Sequence, residues 1–276
     1  MSAQASSSEP MIEHRSIWKR PVTWVAIVAF VAFLVILYVL GTRELTFGTD
    51  VAPDPNLKWD WPYVISLIPD MLNALSVTAF ATVYGFILAV ILGFFLALGR
   101  RSQSRWISWP VSGFIEFVRS TPLLIQLYFL FFGLASATPI RFSSNQALIL
   151  GLGIHYATYC SEAYRAGINS VPGGQWEAAT AMNLKPSTTW TRVIIPQAIP
   201  NALPALGNYL VAGFKDAPLG FAINVTGLMF FATTVRGRDF RPIEPFLMIG
   251  VGFLLVSLPA AWLIRRLERR ISYDRI

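Results

Sequence analysis

Three ionisable residues, Arg119, Lys215 and Asp216, stand inside stretches of sequence that are otherwise apolar. A charge at the centre of a hydrocarbon-spanning helix costs about 2.5–3.5 kcal/mol on insertion scales, so such residues are functional candidates by default. The planar guanidinium of Arg119 suits a carboxylate, and the carboxylate of Asp216 suits a cationic group. A structural reading competes with this one. Lys215 and Asp216, or Arg119 and Glu116 three residues apart, neutralise each other. Glu116 and Glu162 lie nearer the ends of their apolar runs. Thr121-Pro122 follows Arg119 directly, and a proline there removes a backbone bond and exposes carbonyls. Such a break at membrane depth is tolerated where it lines protein or a cavity. The sequence offers no catalytic constellation: it contains no GxxxxGK[ST], HExxH, CxxC or GxSxG pattern. His14 and His155 are too few for a histidine metal site, and His155 reads as a hydrogen-bonded helix residue. The single cysteine, Cys160, has no disulfide partner or metal-site companions and reads as a packing residue.

The elements that must position these residues are transmembrane helices. Of 276 residues, 54 % are hydrophobic and 13 % charged, with a mean hydropathy of +0.54. A soluble domain carries about 25 % charged residues, so too few polar side chains remain to cover a water-facing surface. Apolar runs at 22–40, 71–98, 111–134, 146–164, 199–219 and 245–264 approach or exceed the roughly 20 residues that cross about 30 Å of hydrocarbon. The third is interrupted at Arg119-Ser120-Thr121-Pro122. The fold class is therefore all-α and integral to the membrane, with about six spans. The first run, too long for a signal peptide core, is a retained helix at 21–41 between a tail at 1–20 and an external loop at 42–62. Trp59 and Trp61 in that loop are interfacial anchors. The main transmembrane domain spans 63–270, with a polar loop at about 165–198 and a short tail at 271–276.

The net charge of +7 suggests no nucleic acid, because the basic residues sit at the ends of apolar runs. Of the 22 Lys and Arg, fourteen fall on the side of the N-terminus, six on the opposite side, and two (Arg119 and Lys215) within spans. That bias places both termini, and the 165–198 loop, in the cytoplasm. In the second run Ala81, Gly85, Ala89, Gly93 and Ala97 recur every four residues, forming a groove into which another helix backbone can approach. Packing within one subunit and a seam between subunits both fit it.

The most informative stretch is Val171-Pro172-Gly173-Gly174-Gln175-Trp176-Glu177-Ala178-Ala179-Thr180-Ala181-Met182-Asn183-Leu184, continuing to Val193-Ile194-Ile195-Pro196. It reads as a turn, a short helix from about Gln175 with Glu177 in its first turn, a break at Asn183, and a second helix stopped by Pro196. Glu177 at that position suits the helix dipole. This stretch resembles the EAA loop of ABC importer permeases: Glu-Ala-Ala, three residues, Gly, nine residues, Ile-x-Leu-Pro. Glu177, Ala178, Ala179, Val193, Ile195 and Pro196 fall at the corresponding places, and Asn183 stands for the glycine. Asn is the next most tolerant residue of a left-handed turn.

The resemblance covers roughly residues 70–270. Glu116 to Gln126 resembles the Phe-Arg-Gly-Thr-Pro-Leu-Leu-x-Gln segment of the polar amino acid permeases. Gly153 to Gly167, with Tyr159, Glu162 and Arg165, is similar to the stretch before their EAA loop, and Lys215 to Leu219 matches their Lys-Asp-Thr-Ser-Leu in part. The chain thus looks like a histidine/glutamine-type permease of the bacterial cytoplasmic membrane, with the ectoine/hydroxyectoine branch as one candidate. The resemblance implies a five-helix permease core plus the extra N-terminal helix. It also implies a second permease subunit, two ATP-binding subunits that hold ATP and Mg, a solute-binding protein outside, and surrounding lipid, with no cofactor or metal in this chain. Gly174, Gln175, Glu177, Ala178, Ala179, Asn183 and Pro196 would face or shape the ATPase contact. Arg119, Thr121, Pro122, Tyr209, Lys215 and Asp216 would line the solute pathway. Relatives carry a glutamate seven residues before the aspartate, where this chain has Tyr209, so either the solute is not a basic amino acid, which a cyclic zwitterion such as ectoine fits, or the partner permease holds its second group. An ion-coupled secondary transporter is the alternative, but one clear intramembrane carboxylate and no internal repeat support it poorly.

Overall fold

A computed structural model describes residues 59–273, with side chains through Arg266. The helix expected over 21–41 lies outside the described residues. From Trp61 onward the chain forms one unit, and no strand occurs among the described residues. Two helices are long and apolar enough to cross a membrane, or four if each of two bent pairs counts as one span.

Helix α1, Trp61–Arg100, has 40 residues. At 1.5 Å per residue it reaches about 60 Å, twice the hydrocarbon thickness, so it extends well before the apolar run at 71–98. Its buried line includes Ala81, Gly85, Ala89, Gly93 and Ala97. That line packs against helix α4, Ser144–Asn169. A Cβ on Gly93 would lie 2.6 Å from Cys160 Cβ and 2.8 Å from the Ala157 carbonyl. The every-fourth-residue pattern is therefore an internal seam, and Cys160 is a packing residue within it.

The run at 111–134 is not a straight crossing. Helix α2, Arg105–Ser120, and helix α3, Leu123–Ala137, meet at 106°. Thr121 and Pro122 are extended between them. Pro122 brings no N–H, and the residue before a proline is pushed out of the helical region, so the chain must turn there. α3 contains a π-helical turn, Phe129–Gly133.

α4 sits between α1 and the later helix Ile195–Asp216. It starts with a capping box, in which the Gln146 amide donates to Ser143 Oγ and the Ser143 amide donates to Gln146 Oε1. Its polar residues are tolerated because neighbouring helices, rather than lipid, cover most of it.

Helix α5, Gly173–Ala181, starts two residues earlier than expected, because its first turn closes from the Gln175 amide to the Pro172 carbonyl. Glu177 consequently lies beyond the first turn, and the helix dipole, which decays within that turn, does not account for it. Asn183 has φ 50°. The Leu184 amide donates to the Ala179 carbonyl and the Asn183 amide to the Thr180 carbonyl, a Schellman stop. Pro196, by contrast, stops nothing. A helical turn at Pro186–Thr188 and a π-helical turn at Thr189–Ile194 lead straight into helix α6, Ile195–Asp216, with Pro196 in its first turn. The wide turn opens the carbonyl ladder where a residue without N–H would otherwise clash.

α6 continues as a 3-10 segment, Ala217–Ile223, and then turns through left-handed Asn224. Helix α7, Leu228–Asp239, follows at 48° to the preceding helical segment. The Leu228 amide at its start donates to Thr78 Oγ1 of α1 at 3.0 Å. Helix α8, Ile243–Tyr273, packs along α6, with the Phe214 and Phe253 rings 5.2 Å apart.

Candidate functional site

One face of α4 carries His155, Tyr159 and Glu162 at i, i+4 and i+7, the spacing that aligns side chains on a helix. Glu162 is the hub. Arg100 Nη1 reaches Glu162 Oε1 at 2.5 Å, Arg165 Nη2 reaches Oε2 at 2.5 Å, and Arg119 Nη1 lies 3.7 Å from Oε1. Three guanidiniums around one carboxylate leave a positive excess. Glu116, mostly exposed, compensates part of it at 3.6 Å from Arg100. Arg119 thus pairs with Glu162 rather than with Glu116, because the arginines on the ends of α1, α2 and α4 converge on one acid.

An aromatic ladder runs from this hub. The Arg119 guanidinium lies 5.1 Å from the Tyr159 ring centroid. Tyr159 neighbours Tyr209 at 5.7 Å, His155 at 5.3 Å and Tyr156 at 6.0 Å. Tyr156 donates its hydroxyl to Asp216 Oδ2 at 2.7 Å. Asp216 is therefore held by Tyr156 and not by Lys215, which is exposed and has no ion-pair partner among the described residues. Neither neutralising pair considered from the sequence forms.

Thr121 and Pro122 shape this face rather than present groups to it. In a continuous helix the Val118 carbonyl would accept from the residue at 122, which is proline. Gln126 Nε2 takes that place, donating to Val118 O at 2.7 Å and to Thr121 Oγ1 at 2.9 Å. Its Oε1 lies 3.3 Å from His155 Nδ1, tying the break to α4. Thr121 uses its own hydroxyl on the carbonyls of Phe117 and Val118. Gln126, His155, Tyr156, Tyr159, Glu162 and Arg100 thus belong to the site; of these the sequence singles out Glu162 as a charge near the end of an apolar run, and it places none on the solute pathway. The i, i+4, i+7 alignment on α4 was the available signal.

A second cluster lies where α4 ends. Ile168, Val171, Ile194 and Ala198 form a small core, against which Trp176, Trp190 and Val193 pack. Ala179, 3 % exposed, faces the same way. α5 is thereby clamped by Trp176 and Ala179, while Gly174, Gln175, Glu177 and Ala178 are exposed. Gln175 Oε1 accepts from Gln197 Nε2 at 3.3 Å. Glu177 has no ion-pair or hydrogen-bond partner among the described residues. Asn183 ends the helix and Pro196 lies in the first turn of α6, so both set the geometry of this ridge.

Residues 89–273 match the family of binding-protein-dependent transport system inner membrane components. A "probable amino-acid ABC transporter permease protein" of Sinorhizobium fredii is 40% identical over 203 residues, covering 74% of this chain and 87% of that protein. The glutamine transport system permease protein GlnP of Escherichia coli is 30% identical, covering 78% of this chain and 99% of that protein. Among solved structures, an amino acid ABC transporter crystallised with histidines superposes with a TM-score of 0.72 at 31% identity, covering 77% of this chain and 99% of that one. The MetNI methionine ABC transporter shares the fold at 20% identity and a TM-score of 0.57. A secondary transporter is not favoured by these likenesses. The resemblance to polar amino acid permeases carried by the motifs is borne out: this chain is a multi-pass inner-membrane protein of the binding-protein-dependent transport family, a permease of the ABC importer type.

Proposed function

We propose that this chain forms the solute pathway of an importer that moves a small zwitterionic, amino-acid-like solute into the cytoplasm, driven by partner ATPase subunits that bind ATP and Mg. The chain itself carries out no bond chemistry. The observation that supports coupling is Glu177: an exposed carboxylate with no partner among the described residues, on a helix whose opposite face is clamped by Trp176 and Ala179. A side chain so presented suits a basic cleft on an ATPase subunit, with the small residues Gly174 and Ala178 leaving the ridge narrow enough to enter and Gln175 exposed beside them. Closure of that ATPase would push α5, and the push would reach α4 and α6 through the core they share.

On the pathway, the positive excess at Arg119, Arg100 and Arg165 suits the carboxylate of the solute, and Asp216 suits its cationic end. The aromatic ladder between them supplies flat apolar faces. Tyr209, where relatives carry a glutamate, cannot match a carboxylate's hold on a guanidinium or primary ammonium, which favours a cyclic zwitterion such as ectoine as the solute. A second permease subunit, a pair of ATPase subunits and an extracytoplasmic binding protein complete the assembly, with both termini of this chain in the cytoplasm.

The test is ATP hydrolysis by the reconstituted complex, with binding protein loaded with ectoine, glutamine, histidine or arginine in turn. One loaded form should stimulate hydrolysis, and Glu177→Ala should remove that stimulation while the protein still inserts. Failure of any ATPase subunit to co-purify with the wild type overturns the proposal. Full stimulation in Glu177→Ala removes the coupling role alone.

A further inference from the structure

Helix α1 ends at Arg100, and Arg101 follows in the turn just beyond it, its amide still donating to the Ala97 carbonyl. Consecutive side chains at a helix end point about 100° apart, so the pair reaches different neighbours. Arg100 joins the Glu162 hub at 2.5 Å. Arg101 turns the other way. Its guanidinium carbon lies 5.5 Å from the Trp176 ring centroid and 5.8 Å from that of Trp190, and its Nη1 donates to Asn169 Oδ1 at 3.0 Å. The two indoles meet edge to face at 5.3 Å. Trp176 precedes Glu177 and is half-buried in the clamp that holds α5, and Trp190 sits in the π-helical turn that leads into α6. One guanidinium therefore touches α5, the entry to α6 and the end of α4. Its backbone neighbour touches the acid beneath the aromatic ladder.

We infer that the Arg100–Arg101 pair is a relay: Arg101 senses the position of α5 through the two indoles, and Arg100 passes that displacement to Glu162 and hence to Arg119. α5 is covalently continuous with α4 through a tight turn and with α6 through the 182–194 segment, whereas α1 joins it through this side chain. The relay thus gives the longest helix of the domain a share in the movement of α5. The planar guanidinium is required, because it stacks on indole faces and donates at its edge at the same time, and an ammonium cannot do both. Arg101 is a positioning residue here and touches no solute. The inference rests on the coupling role proposed for α5.

The experiment uses the complete reconstituted transporter and reads solute taken up per ATP hydrolysed, alongside the amount of ATPase subunit that co-purifies. Arg101→Ala should bind as much ATPase subunit as wild type and lose at least tenfold in uptake per ATP. Arg101→Lys should recover little of it. Trp190→Leu, which keeps an apolar side chain and removes the ring face, should show a loss of the same order. The double variant should lose no more than the worse single one, because both remove one contact. Uptake per ATP within twofold of wild type in Arg101→Ala, or losses that multiply in the double variant, overturns the relay. Loss of ATPase binding in both Arg101→Ala and Arg101→Lys also overturns it, by making the residue a scaffold. If Glu177→Ala uncouples while Arg101→Ala does not, the relay falls and the coupling role of α5 stands.

Discussion

At the scale of single residues, the polar face of α4 is organised by an imbalance. Glu162 is about one-fifth exposed and meets three guanidiniums, so the positive charge is only partly offset within the chain. The Arg119 contact, at 3.7 Å, is an ion pair beyond hydrogen-bonding reach, which leaves its fork the freest of the three. Asp216 has a different environment, with one tyrosine hydroxyl at 2.7 Å. Asp216→Asn keeps an acceptor for Tyr156 and removes the charge. A hydrogen bond to a charged group contributes about 1.5–3 kcal/mol, so uptake of a zwitterion should fall roughly tenfold to a hundredfold. The melting temperature in detergent should move little. Radiolabelled uptake and thermal unfolding on the same preparation check this, and unchanged uptake assigns Asp216 to structure alone. The charges were legible in the sequence because they stand out in apolar runs. Their partners were not, since Glu162, Arg119 and Arg100 come from three helices whose relative rotation no local pattern encodes.

At the scale of elements, small residues and prolines decide where helices touch and where they turn. Gly93 lies where α1 and α4 are so close that an added Cβ meets both Cys160 and the Ala157 carbonyl. Gly93→Ala should destabilise the domain by about 1–3 kcal/mol through overpacking. Gly113, in α2, has open space around its Cβ position. Gly113→Ala should be neutral or stabilising by up to about 1 kcal/mol from helix propensity. Unfolding of the two variants in the same detergent compares them directly, and equal effects would remove the close approach as the cause. Both prolines that mattered here, Pro122 and Pro196, were visible as breakers. Their outcomes differed because Gln126 and an extended dipeptide turn the chain at Pro122, whereas a π-helical turn absorbs Pro196 without a stop. The Asn183 break was legible, since a left-handed residue after a short helix needs only local geometry.

At the scale of the whole molecule, the bias of Lys and Arg favours the proposed orientation with both termini in the cytoplasm. Ser136, near the end of α3, and Ser187, just after α5, are both exposed and fall on opposite sides of the membrane in that arrangement. Cys160 is fully buried, so it does not compete for a thiol reagent. A membrane-impermeant maleimide applied to intact cells should label a Ser136→Cys protein and leave a Ser187→Cys protein unlabelled until the membrane is opened. The reverse pattern would invert the topology and with it the cytoplasmic placement of α5.

Composition and motif spacing were enough to establish an all-α membrane protein of the importer permease family, because lipid demands long apolar runs and the EAA segment keeps its chemistry within a short stretch. Boundaries of α5 were read to within two residues for the same reason. Tertiary structure decided the rest. It showed that the 111–134 run is two helices at a steep angle and that the small-residue line of α1 faces α4. It also gathered Arg100, Arg119 and Arg165 onto Glu162 and set Asp216 against Tyr156. These facts depend on how helices rotate and cross, and that is settled by packing between residues far apart in the chain.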